Sequence, residues 1–256
     1  MNIAMSCTRN WYKYLVVDIY SLLYFNKSIK KLYLFLEDDN ISDVKYLDKI
    51  QSKFNIEIEI INTNNILDKY LHEYSPNRDT EYSNLCFTRL ILADYINEDK
   101  ILYLDTDTIV RRDISRIWDI DITDYYVAGV KDYGVYDDDY IYSLNLSGNY
   151  INSGVVLFNL KKIREDNIIS KWFEIANSRK LLYPDQDTLN IVCTDKELYI
   201  PSMYNFINNV TLEVLNKSLV KIFHYAGPKD PWLADRFYSE EWYDSEELFY
   251  NDIIKD

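Results

Sequence analysis

The feature that most constrains the fold of this chain is a repeated alternation of short apolar runs with longer amphipathic segments. The short runs are rich in β-branched and aromatic residues, which is typical of strands, whereas the longer segments carry apolar residues at helical spacing. Strands that alternate with helices build βαβ units, so the sequence predicts an α/β fold with a mainly parallel sheet. The 256 residues, 48% of them apolar, suffice for one domain, residues 1–256, with a sizeable core.

The predicted elements follow from this periodicity. Strands are predicted at residues 2–6, 32–37, 56–61, 101–105, 126–130, 154–160, 198–200 and 221–224. Helices are predicted at residues 12–25, 42–54, 84–95, 163–177 and 185–192. The IEIEI run that starts at Ile56 alternates strictly, which favours a strand near a sheet edge with one face in water. The acidic segment 239–256 is predicted to be a C-terminal amphipathic helix that packs back on the domain.

The charge of the chain limits its partners. There are 28 basic and 42 acidic residues, a formal net charge of -14, which argues against nucleic acid as a partner and against binding to anionic membranes. An anionic substrate such as a nucleotide is repelled by this overall field. Its binding therefore requires local positive charge from a basic side chain or a metal ion.

The cysteines and the hydropathy of the chain indicate its compartment. Cys7, Cys86 and Cys193 are odd in number and contain no CxxC pair, so we expect ordinary buried thiols in a reducing environment. No transmembrane segment and no basic, apolar leader is predicted. We therefore expect a cytoplasmic protein, and the oligomeric state is left open.

Two aspartates follow an apolar predicted strand in the run KILYLDTDTIV, residues 100–110. Because open α/β sheets bind ligands at the carboxyl ends of their strands, Asp105 and Asp107 lie where functional residues usually collect. The two-residue period of a strand sends both side chains to the same side, where their charges repel each other. A divalent metal ion between the two carboxylates resolves this repulsion.

Two other interpretations of the aspartate pair stay open at this point. In the first, Asp105 caps the following helix and Asp107 is solvated near Arg111 and Arg112, because so short a motif is common without a function. In the second, the string DTDT is the nucleophile motif of haloacid-dehalogenase-like phosphatases, whose first aspartate is phosphorylated. That interpretation also needs a downstream acidic motif with a Gly-Asp dipeptide, and none occurs after residue 107.

Three later segments carry further candidate residues. The run YINSGVVLFNLKKIRE enters a predicted strand through Asn152, Ser153 and a glycine, beside which a ligand can approach the backbone. The run YPDQDTLNIV places Asp185 and Gln186 at the start of a helix, where the first-turn amides hold them. The run FHYAGPKDPW ends a predicted strand at His224 and continues into a turn that contains Gly and Pro.

These segments, in this order and at these separations, resemble the family 8 glycosyltransferases, which include lipopolysaccharide galactosyl- and glucosyltransferases and glycogenin. The resemblance extends to the start, IAMSCTRNWYKYL, and to SNLCFTRLILADYI before the aspartate pair, so it spans nearly the whole chain. It implies a GT-A fold, a Rossmann-like nucleotide-binding mixed sheet flanked by helices. It also implies a retaining enzyme that moves galactose or glucose from a UDP-sugar donor to a glycan or glycoprotein acceptor.

The resemblance implies a metal site as well. In the family, the two aspartates and a late histidine bind Mn²⁺, which bridges both phosphates of the donor, so the implied ligands are Asp105, Asp107 and His224. Mixed carboxylate and imidazole ligands favour Mn²⁺ over Mg²⁺, the alternative ion, which prefers oxygen alone. Such an ion supplies the local positive charge that the donor requires. The alternative role for His224 is that of a core histidine whose ring bonds to the backbone.

The family positions also give a donor-binding set. Its members are Ser6, Thr8, Asn10, Trp11, Arg89, Asp105, Thr106, Asp107, Asn152, Ser153, Asp185, Gln186, His224, Gly227 and Lys229. Asp185 and Gln186 are the implied catalytic residues. Gln186 lies beside the anomeric carbon and stabilises positive charge on the sugar ring, and a covalent route through Asp185 is the alternative. Asn10 and Trp11 lie around the uracil ring, although Trp11 as a plain core residue is an equal alternative.

Two departures from the family pattern affect the donor. The family often has an aspartate that reads the uracil ring where this chain has Thr8 and Arg9, which weakens the inference of uridine selectivity. The late motif usually ends in Lys-Pro-Trp, whereas Lys229 is here followed by Asp230 before Pro-Trp. Lys229 is still expected to reach a phosphate. The second functional hypothesis is a degenerate nucleotide-sugar binding module that lost catalysis through this change.

Arg89 and Asp132 complete the candidate residues. Arg89 matches an arginine that reaches the donor, and its alternative role is a surface salt bridge to Asp94 or Glu98. Asp132 is a candidate contact to the donor sugar or the acceptor. The acidic loop 133–150 that follows it lies where a lid over the donor is expected, although most such charge runs are solvated faces.

Overall fold

The computed structural model describes residues 1–37, 46–78, 80, 82–135, 138–147, 149–207, 216–227 and 238–255. These residues form an α/β fold in which a seven-stranded mixed sheet is covered by helices on both faces. Alternate residues along each strand face two separate hydrophobic clusters, one against the first and last helices and one on the opposite side. The predicted α/β class is confirmed.

The described strands form two sheets. They are β1 (Asn2–Cys7), β2 (Lys31–Leu36), β3 (Glu57–Asn62), β4 (Lys100–Leu104), β5 (Thr108–Val110), β6 (Val127–Lys131), β7 (Ile151–Asn159), β8 (Glu197–Tyr199), β9 (Phe206–Ile207) and β10 (Ile222–His224). The main sheet has the order β3-β2-β1-β4-β7-β6-β8, and a small sheet has the order β5-β10-β9. The short strands β5 and β9 were not predicted, because three and two residues leave no readable alternation.

Strand β7 is the main departure from the expected parallel arrangement. The pairs β1 with β2, β1 with β4, β2 with β3 and β6 with β8 are parallel, but β7 runs antiparallel to both of its neighbours, β4 and β6. A strand in this direction begins beside the place where β4 ends. The strand predicted at residues 154–160 is observed at Ile151–Asn159. It starts earlier than predicted, and it ends at Asn159 because Leu160 begins the next helix.

Helices cover both faces of the main sheet. They are α1 (Tyr12–Phe25), α2 (Leu47–Phe54), α3 (Leu92–Tyr95), α4 (Ser115–Trp118), α5 (Asp138–Ser143), α6 (Leu160–Glu165), α7 (Ile168–Ser178), α8 (Pro184–Cys193) and α9 (Ser239–Phe249). Shorter 3-10 turns occupy Arg9–Trp11, Leu67–Lys69, Asn84–Leu90, Ser202–Tyr204 and Lys217–Leu219, and a π-helical turn, Tyr250–Ile254, follows α9. In the described part of the chain, no helix has both the length and the apolar composition that a bilayer crossing requires.

Three predicted helices differ from the observed ones. The helix expected at 84–95 is a 3-10 helix up to Leu90 followed by the single turn α3. The helix expected at 163–177 is divided into α6 and α7, because Asn167 adopts a left-handed backbone conformation with φ of 51°. Of the helix expected at 42–54, the observed part begins at Leu47, and residues 42–45 lie outside the described residues.

The two edges of the main sheet are formed by β3 and β8, and all but the first residue of the IEIEI run lies in β3. Strand β3 is an edge strand, as predicted, and its exposed Glu57 and Glu59 both form ion pairs with Lys31 on β2. The opposite edge is the three-residue strand β8.

Helix α1 lies between the main sheet and the C-terminal helix. Every residue from Leu15 to Leu23 is buried, because α9 and the π-helical turn cover the side that faces away from the sheet. The ring centroids of Tyr20 and Phe249 are 5.7 Å apart, and the Tyr20 hydroxyl donates to Asp252 at 2.6 Å. This double coverage also buries the one acidic residue of the helix, Asp18, which is 1% exposed.

The environment of Asp18 favours its neutral form. Its Oδ1 lies 3.3 Å from the Thr108 hydroxyl, whose single hydrogen is already directed to the Asp105 carbonyl oxygen at 2.8 Å. Its Oδ2 has no hydrogen-bond partner in the described part of the chain. Burial, reinforced by the nearby Asp107, raises the pKa of Asp18 well above its usual value. A protonated Asp18 is able to donate from Oδ1 to the Thr108 oxygen, whose own hydrogen is already used.

We expect Asp18→Asn to stabilise the metal-free protein at neutral pH. Because the folded-state pKa of Asp18 is raised, its contribution to stability is complete below the unfolded-state pKa of about 3.9 and is lost as pH rises towards the folded-state value. Each unit of that rise corresponds to about 1.4 kcal/mol. The neutral asparagine amide escapes this loss. Urea denaturation at pH 8 should show a larger free energy of unfolding for the variant, and the difference should vanish near pH 4. A less stable variant at pH 8 would contradict the assignment.

Candidate active site

The candidate site lies where β4 ends and β7 begins. The Asp105 amide donates to the Gly154 carbonyl oxygen at 2.8 Å, which fixes the two segments side by side. The small sheet adds a third segment, because β10 pairs with β5 and sets His224 opposite Thr108. Three stretches that are distant in sequence therefore meet at one end of the main sheet.

Two aspartates and a histidine form a cluster suited to a metal ion. Three ligand atoms lie within 4.8 Å of one another, one each from Asp105, Asp107 and His224. His224 Nε2 is 3.2 Å from Asp107 Oδ1 and 3.9 Å from Asp105 Oδ2. His224 is buried but its ring bonds to a side chain, Asn205, rather than to backbone. This geometry differs from the alternative of a core histidine.

The alternative of a solvated pair near two arginines does not describe the observed geometry. Arg111 forms ion pairs with Glu241 at 2.8 Å and with Asp244 at 3.1 Å, both from α9. Asp107 instead faces His224. The helix that follows is also too distant for Asp105 to cap it, because β5 comes directly after the aspartate pair.

The pKa values of the cluster reflect burial and mutual charge. Burial raises the pKa of Asp105 above its usual value, although the adjacent Arg89 favours the charged form. Burial also opposes ionisation of Asp107, but His224 holds its pKa below the usual value. For His224, burial favours the neutral ring, yet Asp107 and then Asp105 raise its pKa. Positive charge is therefore favoured at the point between these carboxylates.

Gly154 provides the space for this cluster. A Cβ built on Gly154 would lie 2.2 Å from His224 Cε1 and 2.7 Å from Asp105 Oδ2, closer than real Cβ contacts. The glycine of the NSG triplet is thus required by the side chains of Asp105 and His224 themselves. In the sequence, the small residues at this position indicated that a ligand can approach the backbone, and the structure adds this packing requirement.

Arg89 lies beneath the site and contacts two carboxylates. Its Nη2 donates to Asp105 at 2.6 Å, and its Nε lies 3.1 Å from Asp185 Oδ2. Its Nη1 also donates to the carbonyl oxygen and the hydroxyl of Ser153 at 2.6 and 2.7 Å. Arg89 is only 6% exposed, so the expected alternative of a surface salt bridge to Asp94 or Glu98 is wrong. The guanidinium orients the carboxylates from within the protein.

A second group of side chains lies beside Asp105, Asp107 and His224, the candidate metal-ligand cluster. The Asp132 Oδ2 atom accepts from Asn152 Nδ2 and from Gln186 Nε2, each at 3.0 Å. The Gln186 Oε1 atom accepts from the Ser153 amide at 2.9 Å, and the Ser153 hydroxyl donates to Asp185 at 2.9 Å. All five of these residues are buried. The structure brings them together as a polar wall next to Asp105 and Asp107.

The start of α8 is held by residues that the sequence did not single out. Asp187 is fully buried, and its carboxylate accepts from the hydroxyls of Tyr140 and Tyr150 and from the Tyr183 amide. Tyr140 belongs to α5, so the acidic loop is attached to α8 by this hydrogen bond. The signal in the sequence was the second aspartate of PDQD, close to the positive end of a helix.

The remaining donor-binding candidates lie at the end of β1. The Ser6 hydroxyl is 2.8 Å from the Tyr103 hydroxyl, which in turn donates to Asp105 at 3.0 Å. Thr8 precedes the 3-10 turn that contains Asn10 and Trp11, and Trp11 is partly buried against the core cluster. These residues are next to β4 because β1 and β4 pair in parallel.

The other residues of the predicted donor-binding set are Thr106, Gly227 and Lys229. Thr106 lies between the two aspartates and is half-buried. Gly227 has a φ of 111°, a conformation that favours glycine, shortly after His224. Lys229 and the neighbouring Asp230 lie outside the described residues.

All three cysteines are free thiols, and Cys7 and Cys193 are buried whereas Cys86 is only half-buried.

The donor set and the charge of the site fit a divalent metal ion. Within the described residues, the hydrogen-bonded site contains four carboxylates but one permanent cation, Arg89. The four are Asp105, Asp107, Asp132 and Asp185. Two carboxylates and one imidazole that converge around a space kept open by a glycine are suitable ligands for a divalent metal ion.

Comparison with a known structure establishes the fold. The fold matches that of galactosyltransferase LgtC, crystallised with donor and acceptor sugar analogues, with a TM-score of 0.81 over 97% of this chain and 96% of that one, at 24% sequence identity. The predicted GT-A fold is thereby confirmed.

Sequence comparison then gives the family. The profile of glycosyl transferase family 8 matches residues 2–236, and the chain belongs to this family. Among curated relatives, a lipopolysaccharide 1,2-glucosyltransferase of Escherichia coli is 25% identical over 90% of this chain and 73% of its own length. General stress protein A of Bacillus subtilis is 25% identical over 91% of this chain and 87% of its own length.

Proposed function

We propose that this protein is a metal-dependent, retaining glycosyltransferase that moves galactose or glucose from a UDP-sugar to a carbohydrate or glycoprotein acceptor. The observation that carries the proposal is the convergence of Asp105, Asp107 and His224 around the space left by Gly154, directly beside Asp185 and Gln186. The family membership and the glucosyltransferase relative support a hexose donor.

The metal-ligand residues define one half of the mechanism. Asp105, Asp107 and His224 would hold the ion, and when bound it would stabilise the negative charge that develops on the departing diphosphate. Arg89 keeps Asp105 oriented through a buried ion pair, so the carboxylate needs no rearrangement before the reaction. Stabilisation of the leaving group in this way removes the need for a strong general acid.

The polar wall defines the other half. Asp132, Asn152 and Asp185 offer carboxylate and amide groups of the kind that bind sugar hydroxyls. The Gln186 carboxamide is neutral, and its oxygen already accepts a hydrogen bond from Ser153, so it is a poor nucleophile. It is suited to stabilise positive charge on the ring while the acceptor enters on the face that the diphosphate leaves. The leaving phosphate takes the acceptor proton.

The environment of Asp185 favours this same-face route over a covalent one. Asp185 is engaged by Arg89 at 3.1 Å and by the Ser153 hydroxyl at 2.9 Å. A carboxylate whose charge is neutralised by a guanidinium and whose oxygen accepts a hydroxyl hydrogen bond is a weaker nucleophile than a free one. The geometry therefore supports a role for Asp185 in binding and orientation.

A panel of donors tests the proposal. UDP-galactose, UDP-glucose and their N-acetyl forms are each incubated with the protein, and released UDP is measured with Mn²⁺ and after treatment with a chelator. We expect release from a hexose donor that requires the metal and is restored when Mn²⁺ is added back. Full release in the chelated sample would reject the metal-dependent mechanism. Binding of UDP and Mn²⁺ in calorimetry without any sugar release would instead support the degenerate binding module.

A further inference from the structure

Asn205 connects the metal-ligand cluster to the polar wall. It is 1% exposed and lies at the end of the 3-10 turn Ser202–Tyr204, immediately before β9, which pairs in parallel with β10. One side-chain atom of Asn205 lies 2.8 Å from His224 Nδ1, and the other lies 2.8 Å from Asn152 Oδ1. Asn205 thus bonds one residue from each half of the site and was not among the residues singled out from sequence.

The orientation of Asn152 is fixed by two groups whose roles are unambiguous. A backbone amide only donates, and the Gly154 amide points to one terminal atom of Asn152 at 3.0 Å, so that atom is the oxygen. A carboxylate only accepts, and Asp132 Oδ2 lies 3.0 Å from the other atom, which is therefore the nitrogen. Both constraints agree.

The orientation of Asn152 fixes that of Asn205, and Asn205 in turn fixes the protonation of the His224 ring. Because the Asn152 oxygen can only accept, the Asn205 atom facing it must be the amide nitrogen. The Asn205 oxygen then faces His224 Nδ1, and a carbonyl oxygen also can only accept. His224 Nδ1 must therefore carry a hydrogen. In a neutral ring this leaves the lone pair on Nε2, the atom that faces Asp107 and Asp105.

We propose that Asn205 is a positioning residue that sets the tautomer of His224 for metal binding and ties that ligand to Asn152 on the sugar side. The proposal rests on the function proposed above, because it takes Nε2 of His224 as a metal ligand. Partners of this kind orient ligand histidines, and their loss typically lowers metal affinity or activity by about 10- to 100-fold. Here one amide serves both the ligand and a residue of the polar wall.

The tautomer can be measured directly in the wild-type protein. The chain has only two histidines, His72 and His224, so a sample labelled with ¹⁵N-histidine gives two ring spin systems, and a His72→Gln sample assigns them. Cd²⁺ serves as a diamagnetic probe. We expect the loaded His224 to retain the proton on Nδ1 and to bind the metal through Nε2. A proton on Nε2, or metal bound through Nδ1, would overturn the proposal without any variant.

Two substitutions separate the two hydrogen bonds of Asn205. Asn205→Leu removes both, so we expect mixed His224 tautomers and an affinity for Mn²⁺ that is about 10- to 100-fold lower in calorimetry. Asn205→Asp keeps an acceptor for Nδ1–H but loses the donor to Asn152. We expect this variant to keep the tautomer and most of the Mn²⁺ affinity while the KM for the sugar donor rises. A merely structural residue would not produce this division of effects.

Asn77→Leu is the control for Asn205→Leu. Asn77 is another asparagine that is 1% exposed, and its amide bonds to Ala176 and Arg179. Asn77→Leu should lower the unfolding temperature yet leave the His224 tautomer and the Mn²⁺ affinity unchanged. If Asn205→Leu retains both, the positioning role fails while the proposed function stands. If the wild-type protein binds neither Cd²⁺ nor Mn²⁺ at His224, both proposals fail.

Discussion

Asp107→Asn is expected to reduce sugar transfer by about a thousandfold or more while the protein remains folded. Asp107 contributes a carboxylate to the Asp-Asp-His cluster, and its pKa is held low beside His224, so it is charged at neutral pH. The asparagine keeps the size of the side chain but removes the negative charge that attracts a cation. Initial rates of UDP release at saturating Mn²⁺ and direct Mn²⁺ titration by calorimetry measure the two expected losses.

The surface variant Asp124→Asn is the matched control for Asp107→Asn, because the same chemical change is made at an exposed position. It should have wild-type kinetics and wild-type metal affinity. Full transfer activity in Asp107→Asn, with unchanged dependence on Mn²⁺, would show that the cluster is not the metal site of the reaction.

Asp105→Asn is a less clean experiment than Asp107→Asn. The structure shows that Asp105 is also a partner of the buried Arg89, at 2.6 Å. Loss of its charge leaves the guanidinium with Asp185 as its remaining carboxylate, which is expected to cost about 1–3 kcal/mol of stability. Activity lost in this variant therefore mixes two causes.

Gly154→Ala is expected to abolish metal binding and with it sugar transfer. The added methyl group would overlap His224 Cε1 at 2.2 Å and Asp105 Oδ2 at 2.7 Å. Neither neighbour moves easily, because Asn205 holds the ring and Arg89 holds the carboxylate. We expect at least about a hundredfold loss of Mn²⁺ affinity, since both displaced groups are proposed metal ligands rather than outer partners. Overpacking should also lower stability by about 1–3 kcal/mol.

Gly134→Ala provides the comparison for this substitution. A Cβ at that exposed position meets its nearest heavy atom, Asp132 Oδ1, at 3.1 Å, so a small adjustment accommodates it. The control should bind Mn²⁺ about as tightly as the wild type in calorimetry and unfold at a similar temperature. If Gly154→Ala also binds Mn²⁺ with wild-type affinity, the ligand cluster is not formed as described.

The sequence predicted the elements of the site better than their arrangement. The strand before the aspartate pair, the helix that starts with Asp185 and the strand that ends at His224 all occur close to the expected positions. Periodicity and motif spacing carry this information because it is local. The edge position of β3 also followed from its strict alternation.

The direction of the strands and the partners of buried polar residues could not be predicted from local sequence patterns. The pattern of β7 is equally apolar whether it runs parallel or antiparallel, so only the structure shows that its start, rather than its end, meets Asp105. Arg89 had two nearby acidic residues in sequence, but its observed partners, Asp105 and Asp185, are 16 and 96 positions away. Asn205 carries no motif at all, because its role depends on contacts between β9, β10 and β7.

The two borders of the main sheet also affect how copies of this protein meet. An open sheet exposes unpaired backbone groups that invite strand-by-strand aggregation. Here one border, β3, displays two exposed glutamates that share one lysine, Lys31, so a net negative charge remains and repels a like strand from a second molecule. The other border, β8, offers only three residues as a template. In the described part of the chain, both borders therefore discourage fibre-like growth. Replacement of Glu57 and Glu59 by apolar residues would remove the protection at β3 and leave the candidate site untouched.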